Sequence, residues 1–290
     1  MKLLADLLSI KRLKDYQADG VIIADSEYSC FPRHSFTFEE VKEIVSSCKE
    51  NHKTAVLNID AIIGEDELFP FFKKLEKYLE LGIDYYIFGD FSVFTFFRER
   101  NEEERLIYDP KTLIASRGDA AFYKNLGLKV AISSELSLEE ILEVAEAGNG
   151  MLEIYGHHQI FYSKRSLISN FFEHSGLAGI SEGVRYSLKE ETREDEYPII
   201  QEGRGTFIYT SYRFALIDEL PLLKEKLLFG RINTAFLEES EALQIISLYK
   251  EALAGDAMET KKLQEKLVSI NPNIGRGFLD KKSVLLKEES

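Results

Sequence analysis

Cysteine is almost missing from this chain. Cys30 and Cys48 are the only two in 290 residues, at a spacing that makes no disulfide framework, zinc knuckle or iron–sulfur motif. Positive charge is also in deficit: 36 Lys and Arg against 50 Asp and Glu leave a formal charge of −14. Affinity for a phosphate backbone comes from Lys and Arg. The bare chain is therefore not expected to grip nucleic acid by its overall field, and the acidic excess reads as solvated helix faces. No apolar run is long enough to span a bilayer. The opening MKLLADLLSIKRLKDYQADG is broken by charges and has neither a clean apolar core nor a cleavage signal, so no signal peptide is expected and the expected location is the cytoplasm. Repeats at solenoid spacing and low-complexity linkers are lacking. So are the G-x-S-x-G, H-E-x-x-H, Walker and G-x-G-x-x-G patterns. The two G-R-G triplets, Gly203–Gly205 and Gly275–Gly277, are too short for phosphate binding and are expected to be turns.

What is present is an alternation. Short apolar runs at Lys2–Leu7, Val21–Ala24, Thr54–Ile59, Tyr85–Phe88, Leu106–Tyr108, Val130–Ser133 and Met151–Tyr155 read as buried parallel strands. An eighth is expected near Leu227–Phe229. Amphipathic segments lie between them. Thr37 with Glu40, and Ser137 with Glu140, have the spacing of capping boxes, and Gly82, Gly127 and Gly148 stand where helices should stop. Strand–helix alternation with tight loops implies right-handed crossovers, and about eight strands imply closure. The expected fold is α/β: a single distorted (β/α) TIM-like barrel with a late β-rich insertion. Residues 1–156 would form the first part of the barrel and 157–226 an insertion and return segment. Residues 227–257 would form the last strand and helix, and 258–290 a C-terminal helix and tail.

In a barrel of this kind, chemistry gathers where strands end. His157 and His158 follow a strand end. Being adjacent on an extended chain they point to opposite sides, so they do not readily serve one metal. Glu153 lies on the same strand, with Asp90 and Glu135 at the ends of neighbouring ones. Carboxylates and a histidine converging on the mouth would suit acid–base work or cation binding, and the plainer alternative is a polar rim with no catalytic role. Cys30 with His34 offers a Cys–His pair but no orienting third group, so a thiol peptidase is not expected. Cys48 falls on an amphipathic helix and reads as packing. Phe91, Phe94 and Phe97 recur at helical spacing and read as core, not base-stacking, residues.

The order of several segments resembles the collagenase-like peptidases, peptidase family U32, from Leu3 to Phe278. QADGVIIAD is similar to the family's "gADgVy", followed by an arginine in the next loop, here Arg33. VLNID matches a strand ending in "lN" at Asn58, and GIDYYIFGD matches "gvDalivsD" at Asp90. SSELSLEEI resembles "rELsleEi" with Glu135. MLEIYGHHQIFYSKRSLIS and GTFIYTSYRFALIDELPLL resemble two later motifs, both of which carry cysteine in the family. Gln159 and Ser166 stand at the cysteine positions of the first, and Ala215 at that of the second. The family's "kiEGR" reads LLFGR here, keeping Gly230 and Arg231 but placing Phe229 where the glutamate belongs.

The resemblance implies a scaffold that has lost its cluster ligands, because amide, hydroxyl and methyl groups do not replace thiolates. Short cysteine-poor members resemble the smaller of a pair implicated in prephenate-dependent 5-hydroxylation of the tRNA wobble uridine. IYDPKTL, where other members carry "StQ", fits that shorter type. The implied function is an accessory subunit acting with a longer homologue. That homologue holds the iron–sulfur cluster and meets tRNA through the complex, with no cofactor or metal in this chain and no membrane partner. A peptidase or hydrolase and a non-catalytic binding scaffold are the alternatives. Catalytic candidates are Glu135, Glu153 and His157; ligand-binding candidates are Arg33, Asn58, Asp90, Arg165 and Arg231. Arg165 and Arg231 are expected to receive a carboxylate such as that of prephenate.

Overall fold

The computed structural model describes residues 1–30, 34–177, 184–192 and 194–281. Seven strands follow one another with helical connections: β1 (Lys2–Asp6), β2 (Gly20–Ala24), β3 (Thr54–Ile59), β4 (Tyr85–Phe88), β5 (Leu106–Tyr108), β6 (Lys129–Ala131) and β7 (Gly150–Gly156). Each pairs in parallel with the next. Four strands of the insertion then intervene: β8 (Gln159–Ser163), β9 (Tyr186–Lys189), β10 (Glu196–Glu202) and β11 (Gly205–Tyr209). After β12 (Arg213–Ala215), strand β13 (Phe229–Ile232) slots between β7 and β1, parallel to both, and closes an eight-stranded barrel. The expected TIM-like barrel is the observed one; the first seven strand positions read from apolar runs agree to within one or two residues, and the eighth ends three residues beyond the expected Leu227–Phe229. β12 lies antiparallel on β7 and carries the short β14 (Ile274–Gly275) at its other edge.

The helices form where the local code demands them. In α1 (Phe38–Glu50) the Thr37 hydroxyl accepts from the Glu40 amide, while the Glu40 carboxylate accepts from the Thr37 amide at 2.8 Å. Two orphan donors are thereby satisfied reciprocally. Ser137 and Glu140 repeat the device at α5 (Leu138–Ala145). Helix α2 (Leu68–Glu80) is followed by Gly82 at φ 70°, and α5 by Gly148 at φ 75°, a left-handed conformation that glycine adopts at little cost. Between them lie α3 (Phe91–Arg98) and α4 (Arg117–Asn125). The outer cluster between strands and helices includes Cys48, fully buried on α1. The aromatic helix α3 departs from expectation at one point. It buries Val93, Phe94, Phe96 and Phe97, whereas Phe91, in its first turn, is 41% exposed although its ring meets Phe88 of β4 and Tyr108 of β5 at centroid distances of 6.1 and 5.1 Å.

Inside the barrel, each of the eight strands contributes one residue to an apolar layer: Leu4, Ile22, Val56, Ile87, Ile107, Ala131, Met151 and Phe229. Strand side chains alternate sides, so the residue two places further on points inward one layer higher. Those positions hold Asp6, Ala24, Asn58, Gly89, Asp109, Ser133, Glu153 and Arg231. A sealed apolar floor therefore carries a polar layer at the C-terminal ends of the strands.

The insertion leaves the barrel directly from the end of β7. Strands β8, β11, β10 and β9 form an antiparallel sheet in that order. Helix α6 (Leu167–Ser175) follows β8. Gly203 and Arg204 make the turn between β10 and β11, as expected of the first G-R-G triplet. Arg204 ties this turn to the barrel loops, with Nη1 at 2.7 Å from Glu67 Oε1 and Nε donating to the Glu27 carbonyl. Lys164 donates to the Ile62 carbonyl at 3.2 Å. Helix α7 (Leu220–Leu223) leads into β13, α8 (Glu239–Ala254) is the last barrel helix, and α9 (Ala257–Ile270) packs on α8.

Candidate functional site

A cavity of about 70 Å³ opens above the apolar floor, walled by strand ends of the barrel and by His158, Gln159 and Tyr209 of the insertion. Its charges are arranged in pairs. Arg231 on β13 is buried and grips Asp6 of the adjacent strand through two bonds, Nη2 to Oδ1 at 2.9 Å and Nε to Oδ2 at 3.2 Å. Its Nη1 faces Asp109 at 3.7 Å. Lys111 places its ammonium 2.9 Å from both Asp60 and Asp109. To do so its backbone takes φ 65°, uncommon for a residue with a side chain and found where the surroundings dictate it. Burial works against the charge on both cations, but the facing carboxylates outweigh it and hold each above its ordinary value. Burial alone would raise Asp60, yet Lys111 and the Cys30 amide, donating at 2.7 Å, keep it below the usual carboxylate range.

Glu153 differs from these paired carboxylates. Among the described residues its two oxygens accept from Asn233 Nδ2, each at 3.2 Å, and Oε1 lies 3.5 Å from His158 Nε2. Burial pushes Glu153 up to about 8, with Asp6 reinforcing and Arg231 and Asn233 opposing. Burial, with His157 beside it, pushes His158 down to about 3. At neutral pH the pair is thus a carboxylic acid beside a neutral imidazole, a proton donor facing an acceptor. The imidazole packs on Phe214 with ring centroids 4.3 Å apart.

The candidates read from the sequence separate into two groups. Asn58, Glu153 and Arg231 come together at the cavity. His157 does not reach it: its Nδ1 meets the Thr210 carbonyl at 2.7 Å, its ring abuts Phe236, and burial lowers it to about 4. Its neighbour His158, on the other side of the chain, is the histidine that lines the cavity. Asp90 caps α3, accepting from Ser92 N at 2.9 Å and from Ile63 N at 3.0 Å. Glu135 is exposed on the loop after β6, and Arg165 is exposed on the loop after β8. Arg33 lies outside the described residues. Asp6, Asp60, Asp109, Lys111, Asn233 and His158 were missed. Five of them sit inside segments already singled out: Asp6 in the Lys2–Leu7 run, Asp60 in VLNID, Asp109 and Lys111 in IYDPKTL, and His158 in MLEIYGHHQIFYSKRSLIS. The signal available was the count from the inward apolar residue of each strand: two residues on gives Asp6 and Asp109, four on gives Asp60, Lys111 and Asn233, and His158 follows neither count.

The cysteine set does not fit an iron–sulfur cluster. Burial, assisted in Cys30 by Asp60, raises both thiols to about 12, far from the thiolate that iron requires. Gln159, Ser166 and Ala215 supply no sulfur. Among the described residues no three of His, Cys, Asp and Glu are grouped to hold a metal ion, and no helix is long and apolar enough to cross a membrane. Phe229 is built into the floor, its ring edge-on to Tyr85 at 5.2 Å.

The chain is similar to several known proteins. The "tRNA hydroxylation protein P2" of Bacillus subtilis is 26% identical over 285 residues, covering 92% of both chains. The "Uncharacterized protease MJ0090" of Methanocaldococcus jannaschii is 23% identical over 264 residues, covering 86% of this chain, which spans 63% of that longer protein. The solved U32 peptidase Mk0906 matches 55% of this chain and 70% of its own, at 15% identity and a TM-score of 0.42. The model of peptidase family U32 matches residues 5–284. With that match running along nearly its whole length, the chain belongs to peptidase family U32.

Proposed function

We propose that this protein is an accessory subunit in prephenate-dependent 5-hydroxylation of the tRNA wobble uridine, acting with a longer homologue that carries the iron–sulfur cluster. One observation carries the reading: a relative named for tRNA hydroxylation aligns with 92% of this chain. The site supports a subsidiary role. Its polar layer is kept and organised, while the thiols present are buried and held protonated. In this reading the redox centre, and most contacts to the tRNA phosphates, belong to the partner, in keeping with the −14 formal charge of this chain. The test is a strain lacking both genes, complemented with the longer homologue alone or with both, and assayed for 5-hydroxyuridine by mass spectrometry of tRNA digests. Full modification with the longer protein alone ends the accessory reading.

A hydrolase is the second reading, favoured by the Glu153–His158 pair, in which a carboxylic acid faces a neutral imidazole at 3.5 Å. Gelatin digestion by the purified protein, abolished by Glu153→Gln, supports it. Absence of digestion under conditions that give tRNA modification rejects it.

A further inference from the structure

The cavity's cations are already spoken for. Arg231 is engaged by Asp6 and Asp109, and Lys111 by Asp60 and Asp109. An anion reaching the Lys111 ammonium would have to settle beside two carboxylates that each lie 2.9 Å from it, in a site where like charges are weakly screened. What the cavity leaves unmet is hydrogen bonding. Asn58 and His158 both line it and are 1% and 6% exposed; Asn58 Oδ1 finds no hydrogen-bond partner among the described residues, and His158 Nε2 has Glu153 Oε1 at a long 3.5 Å.

The orientation of the Asn58 amide follows from its neighbours. The Ser29 hydroxyl donates toward Asp60 Oδ1 at 3.5 Å, so it accepts the bond from Asn58 Nδ2 at 3.0 Å. The carbonyl oxygen of Asn58 is then the unsatisfied end, and it only accepts. Across the cavity Glu153 keeps a side-chain exposure of 20%. Buried polar groups without partners are costly, and a site that holds some in place is built for a ligand that satisfies them.

We propose that the mouth cavity takes a compact, uncharged ligand group bearing both a donor and an acceptor, an alcohol or a primary amide, and rejects carboxylates. Its donor goes to Asn58 Oδ1, while Glu153 and His158 meet its other polar atoms. This deepens the proposed function at the same site and assigns any dicarboxylate co-substrate to the partner subunit instead.

The test is an NMR titration of the full-length chain, 15N-labelled at asparagine and histidine side chains, with acetamide and glycerol as neutral probes and malonate as the anionic one. Saturable shifts of the Asn58 amide with a neutral probe are expected, about tenfold weaker binding in Asn58→Ala, and no response to malonate. Saturation by malonate, malonate displacing acetamide, or neither neutral probe binding overturns the proposal. The titration does not depend on tRNA. A failed complementation experiment leaves it standing, and a failed titration leaves the accessory role standing.

Discussion

Two layers inside the same barrel, one residue pair apart along every strand, follow opposite rules. The lower is apolar throughout, from Leu4 round to Phe229, and its side chains are held by contact alone. The upper contains Asp6, Asn58, Asp109, Glu153 and Arg231, held by paired charges and directed hydrogen bonds. The lower layer tolerates exchange among apolar shapes at a cost set by volume. In the upper layer the cost is set by what each removal leaves unpaired. Phe229 completes the apolar floor on β13, two residues before the upper-layer Arg231.

The sharpest break in this contrast is Asp6→Ala. It leaves the buried Arg231 guanidinium without its bidentate partner, and stability by denaturant titration should fall by about 3–5 kcal/mol. The double variant Asp6→Leu with Arg231→Met should recover most of that loss; if it does not, the pair matters for more than charge. Phe229→Ala empties part of the floor and should cost about 3–4 kcal/mol by the same measurement. Unlike Asp6→Ala, it should show little dependence on salt.

The third effect depends on pH. The folded value of Glu153, about 8, lies above its ordinary 4.5. Below the lower value both folded and unfolded chains are protonated there, and Glu153 costs nothing. As pH rises from about 4.5 to about 8, only the unfolded chain releases the proton. Stability is therefore lost by up to about 1.4 kcal/mol per pH unit. Glu153→Gln should remove this slope, so the difference between variant and parent should widen across that window and flatten above it. Parallel curves would mean that Glu153 is not held protonated. The smallest effect belongs outside both layers. Asp90→Ala removes only the cap of α3 and its bond to the Ile63 amide, and should cost about 1 kcal/mol.

Much of the barrel was legible because its code is local. Thr37 with Glu40 and Ser137 with Glu140 announce helix starts within four residues, and the strands are short apolar runs that need no partner to be recognised. A third of the site was legible for the same reason: Asn58, Glu153 and Arg231 sit at strand ends. His157 and His158 show the limit. The chain places them on opposite sides, but only the position of Thr210, 53 residues further on, decides that His157 is the structural one. Phe91 shows the same limit on a helix, since spacing alone does not tell how far the neighbouring elements will cover a first-turn residue.

By itself the sequence determined the order of strands and helices, the scarcity of sulfur and the polarity of each strand's inward residues, all properties of neighbours along the chain. Tertiary structure alone decided that Lys111 answers Asp60, that Arg231 is closed off by Asp6, and that the insertion lays Tyr209 over the mouth. These depend on closure of the barrel, which brings β13 beside β1 across 225 residues. No local pattern records which charges will meet there.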